Sequence, residues 1–390
     1  MSFPKMKLGE CAEIHSGSTP RTNNPDFWDG DITWVTPKDL SKLKSKFISK
    51  TESKITQLGF DSCSTKLLPE NSVLFSSRAP IGHVAINTIP MCTNQGFKSF
   101  VPKADLLDSQ YLYYWLKANK EYLQDLGVGA TFKEISKTVI ANVEIPLPPL
   151  AEQRRIASIL DQADELRQKR QQAIEKLDQL LQATFIEMFG DPVSNPKGWD
   201  VGCIGDMLES VKYGSSDKAT LDGEIPILRM NNLTYSGEMD LRDLKYITKA
   251  QADEKYLVKE GDILFNRTNS KELVGKTAVY VGPEPMAYAG YLVRGRTKGS
   301  FAPEYISAFL NSPWGKEKLQ SMCKSIVGMA NINAKEFQSI VLPIPPENEQ
   351  MYFKTRVLAI REKKQLLVNQ LNVFETLFKS LQNQAFSGTL

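Results

Sequence analysis

Two long stretches of the chain carry apolar side chains at alternating steps of three and four residues. The first runs from Leu150 to about Phe189, and the second from Asn348 to about Phe386. Such steps over about five heptads are typical of a coiled-coil seam rather than of a simple surface helix. We therefore predict two helices, each of about 38 residues and roughly 57 Å. The seam positions are Ile159, Ala163, Leu166, Ala173, Leu177, Leu180 and Thr184 in the first helix, and Phe353, Val357, Ile360, Leu367, Leu371, Phe374, Phe378 and Leu381 in the second.

Proline and glycine limit both predicted helices. The pairs Pro148-Pro149 and Pro345-Pro346 end the preceding strands. Each pair also marks where the following helix can begin, because proline cannot occupy a helix interior. Gly190 and Gly388 follow the last seam positions and predict the C-terminal ends.

The apolar stripe of each helix needs a partner, because an isolated helix would expose it to water. We expect the two stripes to bury each other in an antiparallel pair, since the first helix leads into the second half of the chain and the second runs back. The alternative is that each helix packs on its own β-rich segment. The antiparallel arrangement predicts a pseudo-two-fold dumbbell.

The two halves of the chain also resemble each other. Residues 145–153 read IPLPPLAEQ and residues 342–350 read LPIPPENEQ. The earlier stretches DITWVTPKDL and EIPILRMNNL (31–40 and 224–233) align, as do QYLYYWLK and EYISAFLN (110–117 and 304–311). A period near 195 residues is too long for a solenoid and indicates one duplicated module.

Each module reads as α+β with short strands dominant. Residues 72–75 and 262–265 predict strands bounded by turn residues, and residues 111–120 predict a short packed helix. We expect two tandem β-rich domains, residues 1–149 and 190–346. The two long helices, residues 150–189 and 347–388, would follow them.

Composition places the chain among ordinary globular proteins. Of its 390 residues, 41% are hydrophobic and 24% charged, and the net charge is +3. No apolar run reaches the ~18 residues of a membrane span, and the start lacks a signal-peptide pattern. The five cysteines are scattered, which favours thiols in a reducing cytoplasm. We expect a cytoplasmic protein without a membrane partner.

A catalytic constellation is hard to find. The only histidines, His15 and His83, have no metal-ligand spacing. Residues 270–277, SKELVGKT, resemble a phosphate loop but begin with Ser270 instead of glycine. Residues 24–27, Asn-Pro-Asp-Phe, resemble a methyltransferase loop, but no cofactor-binding turn accompanies them. We predict no enzyme activity, cofactor or metal.

Binding to double-stranded DNA is better supported. Lysines recur between Lys38 and Lys54, where they could contact phosphates. Arginine, lysine, asparagine and glutamine also suit base edges, although any one of them could be a solvated loop residue. The candidates are Arg21, Thr22, Asn23, Lys38, Arg78, Asn94 and Gln95 in the first module, and Lys218, Arg229, Asn231, Asn232, Asn266, Arg267, Asn269, Lys271, Arg294 and Arg296 in the second. Arg78 and Arg267 fall at nearly equivalent places in the two copies, as do Lys38 and Asn231.

The chain resembles the specificity subunit of type I restriction–modification systems. The resemblance lies in IPLPPLAEQRRIASIL (145–160), in the copy LPIPPENEQ (342–350), in the heptads after each, and in HSGSTPR (15–21). It implies that the two β-rich domains are target-recognition domains, and that each of them reads one half of a bipartite DNA sequence. It also implies that the helices form an antiparallel spacer, and that methylation and ATP-driven cleavage belong to modification and restriction (translocase) subunits.

The resemblance also suggests where those subunits bind. We expect contacts at Glu152, Gln153, Glu349 and Gln350, although acidic and amide groups in a first helical turn can instead serve the helix itself. The rival hypotheses are a protein that bridges two protein partners and a self-sufficient methyltransferase or nuclease. Salt-dependent binding to duplex DNA would distinguish the first rival, and methyl transfer by the pure chain would reveal the second.

Overall fold

The computed structural model describes residues 3–129, 133–282, 284–326 and 329–390. The chain divides into two compact units. Unit 1 comprises Met1–Arg170 and Gln370–Leu390, and unit 2 comprises Gln171–Asn369. Each unit therefore contains one β-rich domain and parts of both long helices. Over the described residues, no helix is both long and apolar enough to span a membrane.

Unit 1 is built on a five-stranded sheet of order β2-β9-β6-β7-β4, a three-stranded sheet of order β5-β3-β8, and the pair β1-β10. The strands are β1 (Lys5–Lys7), β2 (Ala12–Ser16), β3 (Trp28–Val35), β4 (Phe47–Ile48), β5 (Ser53–Ile55), β6 (Val73–Phe75), β7 (Val84–Asn87), β8 (Cys92–Thr93), β9 (Lys98–Pro102) and β10 (Glu144–Pro146). The helices are α1 (Leu8–Cys11), α2 (Pro37–Lys42), α3 (Gln57–Asp61), α4 (Ser109–Ala118), α5 (Lys120–Asp125), α6 (Lys137–Ala141) and the long α7 (Leu150–Phe189).

Unit 2 is built on a four-stranded sheet of order β12-β19-β15-β17, three-stranded sheets of order β14-β13-β18 and β16-β21-β20, and the pair β11-β22. The strands are β11 (Val201–Cys203), β12 (Leu208–Tyr213), β13 (Ile225–Leu228), β14 (Lys245–Ile247), β15 (Ile263–Asn266), β16 (Thr268–Asn269), β17 (Thr277–Val279), β18 (Ala287–Tyr288), β19 (Leu292–Thr297), β20 (Lys324–Ile326), β21 (Met329–Asn331) and β22 (Val341–Pro343). The helices are α8 (Ile204–Met207), α9 (Pro303–Asn311), α10 (Pro313–Met322), α11 (Ala334–Gln338) and the long α12 (Glu347–Ser387).

The two domains repeat the same topology. β3 pairs with β8 in parallel, with Trp34 opposite Cys92, and β13 pairs with β18 in parallel, with Ile227 opposite Ala287. The antiparallel pairs β2-β9 and β12-β19 correspond in the same way. The two strands and the short helix that we predicted are present as β6, β15 and α4. The prediction of a duplicated α+β module is therefore confirmed.

The two long helices are also confirmed. α7 contains 40 residues and α12 contains 41. Gly190 and Gly388 follow them with φ angles of 72° and 81°, a conformation that glycine adopts without steric cost. The Gly190 N–H donates to the carbonyl of Ile186 at 2.8 Å, which satisfies one of the free carbonyls at the end of α7.

The helix segments within each unit run antiparallel. In unit 1, Arg155 donates to the carbonyl of Leu390 (2.9 Å), and further along α7 Arg167 lies 3.9 Å from Glu375. In unit 2, Asp178 pairs with Lys364, whereas further along α7 Glu187 lies 3.9 Å from Arg356 and the rings of Phe189 and Phe353 are 5.1 Å apart. As the residue number rises along α7, that of the contacting residue in α12 falls, so the two segments run antiparallel in each unit, as predicted.

The seam itself differs from the prediction in α7. Phe353, Val357 and Phe378 of α12 are buried as expected, but Leu166 and Leu180 of α7 are 46% and 49% exposed. The buried positions of α7 include instead Ile156, Leu160, Ile174, Phe185 and Phe189. The buried set differs from the predicted seam because each helix packs on the β-rich domain as well as on the other helix.

Aromatic rings carry that second contact. In unit 1, Tyr111 lies 5.5 Å from Phe386 and Tyr114 lies 6.2 Å from Phe378, between ring centroids. In unit 2, Tyr305 lies 4.8 Å from Phe189. The two packing modes that we treated as alternatives therefore coexist in each unit.

A buried glutamine fixes the start of α7. Gln153 is fully buried, and its Oε1 accepts from the N–H of Asp108 at 2.9 Å. Its Nε2 donates to the carbonyls of Leu106 and Pro148, both at 2.8 Å. The expectation that Gln153 contacts a partner subunit is wrong in this structure, because no part of the side chain is exposed.

Gln350 repeats this arrangement in unit 2. It is also fully buried, with Oε1 accepting from the N–H of Ala302 (3.1 Å) and Nε2 donating to the carbonyl of Pro345 (2.8 Å). The expectation that Gln350 contacts a partner subunit is therefore also wrong in this structure. Glu152, paired with Arg155 at 2.7 Å, and Glu349 are partly exposed and remain candidates for partner contact.

We predict that Gln153→Leu lowers the free energy of unfolding of unit 1 by about 2–4 kcal/mol, because a buried N–H and two carbonyls lose their partner. Urea unfolding measures the change. Gln162→Leu, which places the same side chain on an exposed position of α7, is the matched control and should shift stability by less than about 0.5 kcal/mol. Equal effects of the two substitutions would contradict the structural role of Gln153.

Candidate nucleic-acid interface

A loop of unit 1 is held against the end of β8 by a glycine that leaves no room for a side chain. A Cβ at Gly17 would lie 2.0 Å from the carbonyl oxygen of Asn94 and 2.4 Å from that of Thr93. The next residue, Ser18, donates its N–H to the carbonyl of Thr93 (3.0 Å) and accepts from Nε1 of Trp34 (3.1 Å). The backbone after β2 therefore runs directly beside residues 93–96.

This contact brings several of the predicted residues together. The Thr19 hydroxyl donates to Oε1 of Gln95, and Oδ1 of Asn94 accepts from the N–H of Gly96 at 2.9 Å. The carbonyl of Arg21 accepts from Nε1 of Trp28 at 3.2 Å. Arg21, Thr22, Asn23 and Gln95 are exposed. The Arg21 and Asn23 side chains line a shallow cavity of about 340 Å³.

Arg78 joins the same region from the end of β6. Its N–H donates to the carbonyl of Gly96 at 3.3 Å, next to the bond that Ser77 makes to the same oxygen at 2.8 Å. The Arg78 side chain is half-buried. We call residues 17–24, Arg78 and residues 94–96 the loop edge of unit 1.

Unit 2 builds the equivalent edge in the same way. A Cβ at Gly214 would lie 2.3 Å from the carbonyl oxygens of both Tyr288 and Ala289. Ser215 donates its N–H to the carbonyl of Tyr288 (2.8 Å), and Arg267 donates its N–H to the carbonyl of Tyr291 (3.0 Å). We call residues 214–218, Arg267 and residues 289–291 the loop edge of unit 2.

The side chains of the second edge differ from those of the first. The guanidinium of Arg267 lies 4.9 Å from the ring centroid of Tyr213, and its Nη2 reaches Oδ1 of Asn331 at 3.5 Å. Lys218 is exposed, as is Lys271, while Asn269 is half-buried in β16. The two edges thus share the same backbone contacts but carry different side chains.

Arg229 and Asn231 form a separate cluster around one carboxylate. Arg229 donates to Asp243 at 3.0 Å and Asn231 donates to the same side chain at 2.7 Å. Asn231 is exposed and Arg229 is half-buried. Both remain near the surface, but Asp243 already uses part of their hydrogen-bonding capacity.

The predicted lysine run does not form one phosphate-binding face. Lys38 and Lys42 both pair with Glu52, and these contacts lower the pKa of the Glu52 carboxyl to about 2. Lys46 points towards α7, where it pairs with Asp161 and is only 15% exposed. Lys38 stays 66% exposed and keeps its place among the candidates.

Asn232 and Asn266 are not placed to contact bases, because both are fully buried. Asn232 caps a short 3₁₀ helix: its Oδ1 accepts from the N–H of Arg229 (2.8 Å), and its Nδ2 donates to the carbonyls of Asp240 (2.8 Å) and Asp243 (2.9 Å). These two predictions are wrong in this structure. The amide of Asn232 bonds backbone groups of the interior, whereas Nδ2 and Oδ1 of Asn266 are buried without a hydrogen-bond partner among the described residues.

Arg294 and Arg296 both lie beside the buried carboxylate of Asp262 in unit 2. Arg296 makes two bonds of 2.8 Å to the carboxylate of Asp262, which is 1% exposed. Arg294 is 3% exposed and donates to the carbonyl of Leu257 at 2.8 Å. The prediction that Arg294 contacts DNA is wrong here, and Arg296, at 30% exposure, is committed to neutralising Asp262.

Two further residues of the loop edges are exposed or partly exposed and lie outside the predicted set. Thr19 contacts Gln95 in unit 1, and Tyr291 is 51% exposed in unit 2. The alignment of Gly17 with Gly214 was the available signal, because it marks the backbone contact from which both edges are built.

We predict that Arg296→Ala lowers the free energy of unfolding of unit 2 by about 3 kcal/mol, because it leaves the buried carboxylate of Asp262 without its two-pronged partner. Arg242→Ala is the matched control. Arg242 makes a similar bidentate pair with Asp240 but is 90% exposed, so its loss should change stability far less than the loss of Arg296. Urea unfolding of both variants tests the difference, and equal effects would contradict it.

Comparison with known proteins identifies the family. Residues 2–176 and 196–352 match the model of the type I restriction modification DNA specificity domain. The chain is 35% identical over 268 residues to the MjaIX specificity subunit of Methanocaldococcus jannaschii, an alignment that spans 61% of this chain and 62% of that relative. It is 25% identical to the EcoKI specificity subunit of Escherichia coli K12, over 84% of this chain and 76% of that one.

Solved structures agree on the fold. The S subunit of a type I restriction-modification system from M. genitalium aligns with a TM-score of 0.61 at 15% identity, over 99% of this chain and 96% of that one. A chain from a study of complex assembly and conformational transition of the type I R-M system aligns with a TM-score of 0.58 at 18% identity, over 100% and 98%. With both of its β-rich domains matched, the chain belongs to the type I restriction modification DNA specificity domain family.

Proposed function

We propose that the chain is the DNA-recognition subunit of a type I restriction–modification complex. In this proposal residues 1–149 and 190–346 are two target-recognition domains, each reading one half of a bipartite duplex target. The observation that carries it is the pair of loop edges: one backbone design occurs twice in one chain, with different exposed side chains. Two half-sites of different sequence require that combination.

The proposed contacts divide by chemistry. Arginine, asparagine and glutamine side chains suit direct reading of base edges, and lysine suits phosphate. In unit 1 we assign base reading to Arg21, Asn23, Asn94 and Gln95, with Thr22 and Arg78 beside them. In unit 2 the proposed DNA contacts are Lys218, Arg229, Asn231, Arg267, Asn269 and Lys271. Lys38 of unit 1 is assigned to phosphate.

We assign no catalytic residue to the chain. Methylation of the target and ATP-driven cleavage then belong to modification and restriction subunits of a cytoplasmic complex. That the relatives are specificity subunits of restriction enzymes supports this division. The partly exposed Glu152 and Glu349, at the starts of α7 and α12, are the proposed contacts for the modification subunits. The long helix pair would set the length of the spacer between the half-sites.

A domain exchange tests the modular reading. Replacing residues 1–149 by the corresponding domain of a relative with a different target should change only one half of the recognised sequence, because each domain contains its own loop edge. Sequencing of methylated sites in a host that carries the assembled complex measures the result. The matched exchange of residues 190–346 should change only the other half. A change in both halves after either exchange would contradict the proposal.

An insertion tests the spacer function of the helices. We expect four residues inserted after Arg170 of α7, together with four after Asn369 of α12, to lengthen the preferred spacer by one or two base pairs. One helical turn adds about 5.4 Å, and a base-pair step is about 3.4 Å.

The same methylation sequencing measures the spacer. The control is a four-residue insertion after Gly299, where the structure leaves open space around the glycine. It should leave the spacer unchanged. A helix variant that methylates the original spacer would show that the helices do not measure distance.

A further inference from the structure

A cavity of about 410 Å³ lies inside unit 2, between the helix pair and the β-rich domain. Its walls come from α7, α9, α10, α12 and the turn at residues 235–238. Phe185, Tyr235, Trp314 and Val357 give it a largely apolar lining. This size and lining are those of sites for small organic molecules, which commonly combine an apolar wall with a few placed polar groups.

Most of the charged side chains that line the cavity have partners. Asp178 pairs with Lys364, and Glu238 pairs with Arg361 at 3.4 Å. Nη1 of Arg361 is nevertheless buried without a hydrogen-bond partner among the described residues. Glu304, in the first turn of α9, differs from the carboxylates of Asp178 and Glu238. It is 3% exposed, and its Oε2 has no hydrogen-bond partner among the described residues.

A cation in the cavity would give Oε2 of Glu304 the partner that it lacks. The positive end of the α9 dipole favours a carboxylate there, but a buried carboxylate that lacks a hydrogen-bond donor is unfavourable. The nearby Lys316 is engaged elsewhere, because its Nζ donates to Oδ1 of Asn311 (3.0 Å) and lies 4.4 Å from the ring centroid of Tyr235. A positively charged ligand in the cavity would complete the charge balance.

Unit 1 shows what occupies the equivalent place. The repeat aligns Gln110 with Glu304 and Tyr114 with Ala308. In unit 1, Oε1 of Gln110 accepts from the ammonium of Lys46, and that ammonium lies 5.8 Å from the ring centroid of Tyr114. The Tyr114 ring is itself buried, at 1% exposure. Unit 1 thus has Gln110 beside an ammonium group, which also pairs with Asp161, and an aromatic ring at position 114, whereas unit 2 has Glu304 and the small Ala308 at the aligned positions.

We propose that the cavity of unit 2 binds a small aromatic amine. Its ammonium group pairs with Glu304, and its ring occupies the volume that the Tyr114 ring fills in unit 1. The aromatic lining favours such a ring and a nearby cation. This binding function is separate from DNA recognition, because the cavity contains none of the loop-edge residues.

Tyramine is the probe that tests the site, since it joins a phenol ring to an ammonium group by two carbons. Tyrosol, in which a hydroxyl replaces the ammonium, is the neutral control. Calorimetric titration of the full chain should show one saturable site for tyramine and at least tenfold weaker binding of tyrosol. Equal affinity for the two compounds, or no saturable binding of tyramine, would overturn the proposal.

Two substitutions taken from unit 1 locate the site. Glu304→Gln should weaken tyramine binding at least tenfold and leave tyrosol binding unchanged, because it removes charge and preserves shape. Ala308→Tyr should abolish binding of both compounds, because it fills the cavity. Glu260→Gln, at an exposed position of the same unit, is the matched control and should bind like the unaltered chain.

The same variants separate this proposal from that of DNA recognition. Glu304→Gln should retain DNA binding and a cooperative unfolding transition, which also shows that the variant is folded. If Glu304→Gln binds tyramine as tightly as the unaltered chain does, the assigned pairing is wrong, whatever the outcome for DNA. If the chain binds tyramine as described and no DNA, the amine site stands and the DNA-recognition proposal falls.

Discussion

Each long helix leaves its β-rich domain through a buried glutamine, and the other features of the chain depend on that junction. Gln153 and Gln350 have fully buried side chains, and their amide groups join the carbonyl of the first proline of a Pro-Pro corner to the backbone N–H that precedes α4 or α9. A neutral amide suits this place, because it supplies a donor and an acceptor together and carries no charge that burial would penalise. The corner thereby fixes the direction in which a helix of 40 residues departs.

A tyrosine supports each corner from the domain side. Tyr111 donates its hydroxyl to the carbonyl of Pro146, and Tyr305 donates to that of Pro343, both at 2.7 Å. The same rings contact Phe386 in unit 1 and Phe189 in unit 2. One aromatic side chain in each unit therefore joins the strand before the corner to the end of the other long helix. This explains why the α7 seam departs from a pure coiled-coil pattern.

The sequence predicted features that repeat locally and failed where burial comes from distant pairings. The pattern of apolar residues at steps of three and four correctly predicted that Phe353 and Val357 are buried, because both lie on the apolar stripe of α12. It misplaced Leu166, because the pattern does not say which of two adjacent faces meets the domain. The prediction that Arg294 contacts DNA failed for a related reason. Its strand, β19, lies between β12 and β15, which are distant in sequence, and the side chain is buried there.

The residues that match between the two units show which positions the duplicated fold constrains. Gly17 and Gly214 match because a Cβ at either would overlap a carbonyl oxygen, so only glycine allows the loop to lie beside its neighbouring strand. Side chains that extend outward from the same loops are free of that constraint, and Gln95 and Tyr291 have different chemistry accordingly. A fold whose backbone contacts are fixed by glycine, glutamine and tyrosine can therefore vary its outer side chains at little cost in stability. Two copies in one chain can then differ in what they recognise while they remain alike in how they fold.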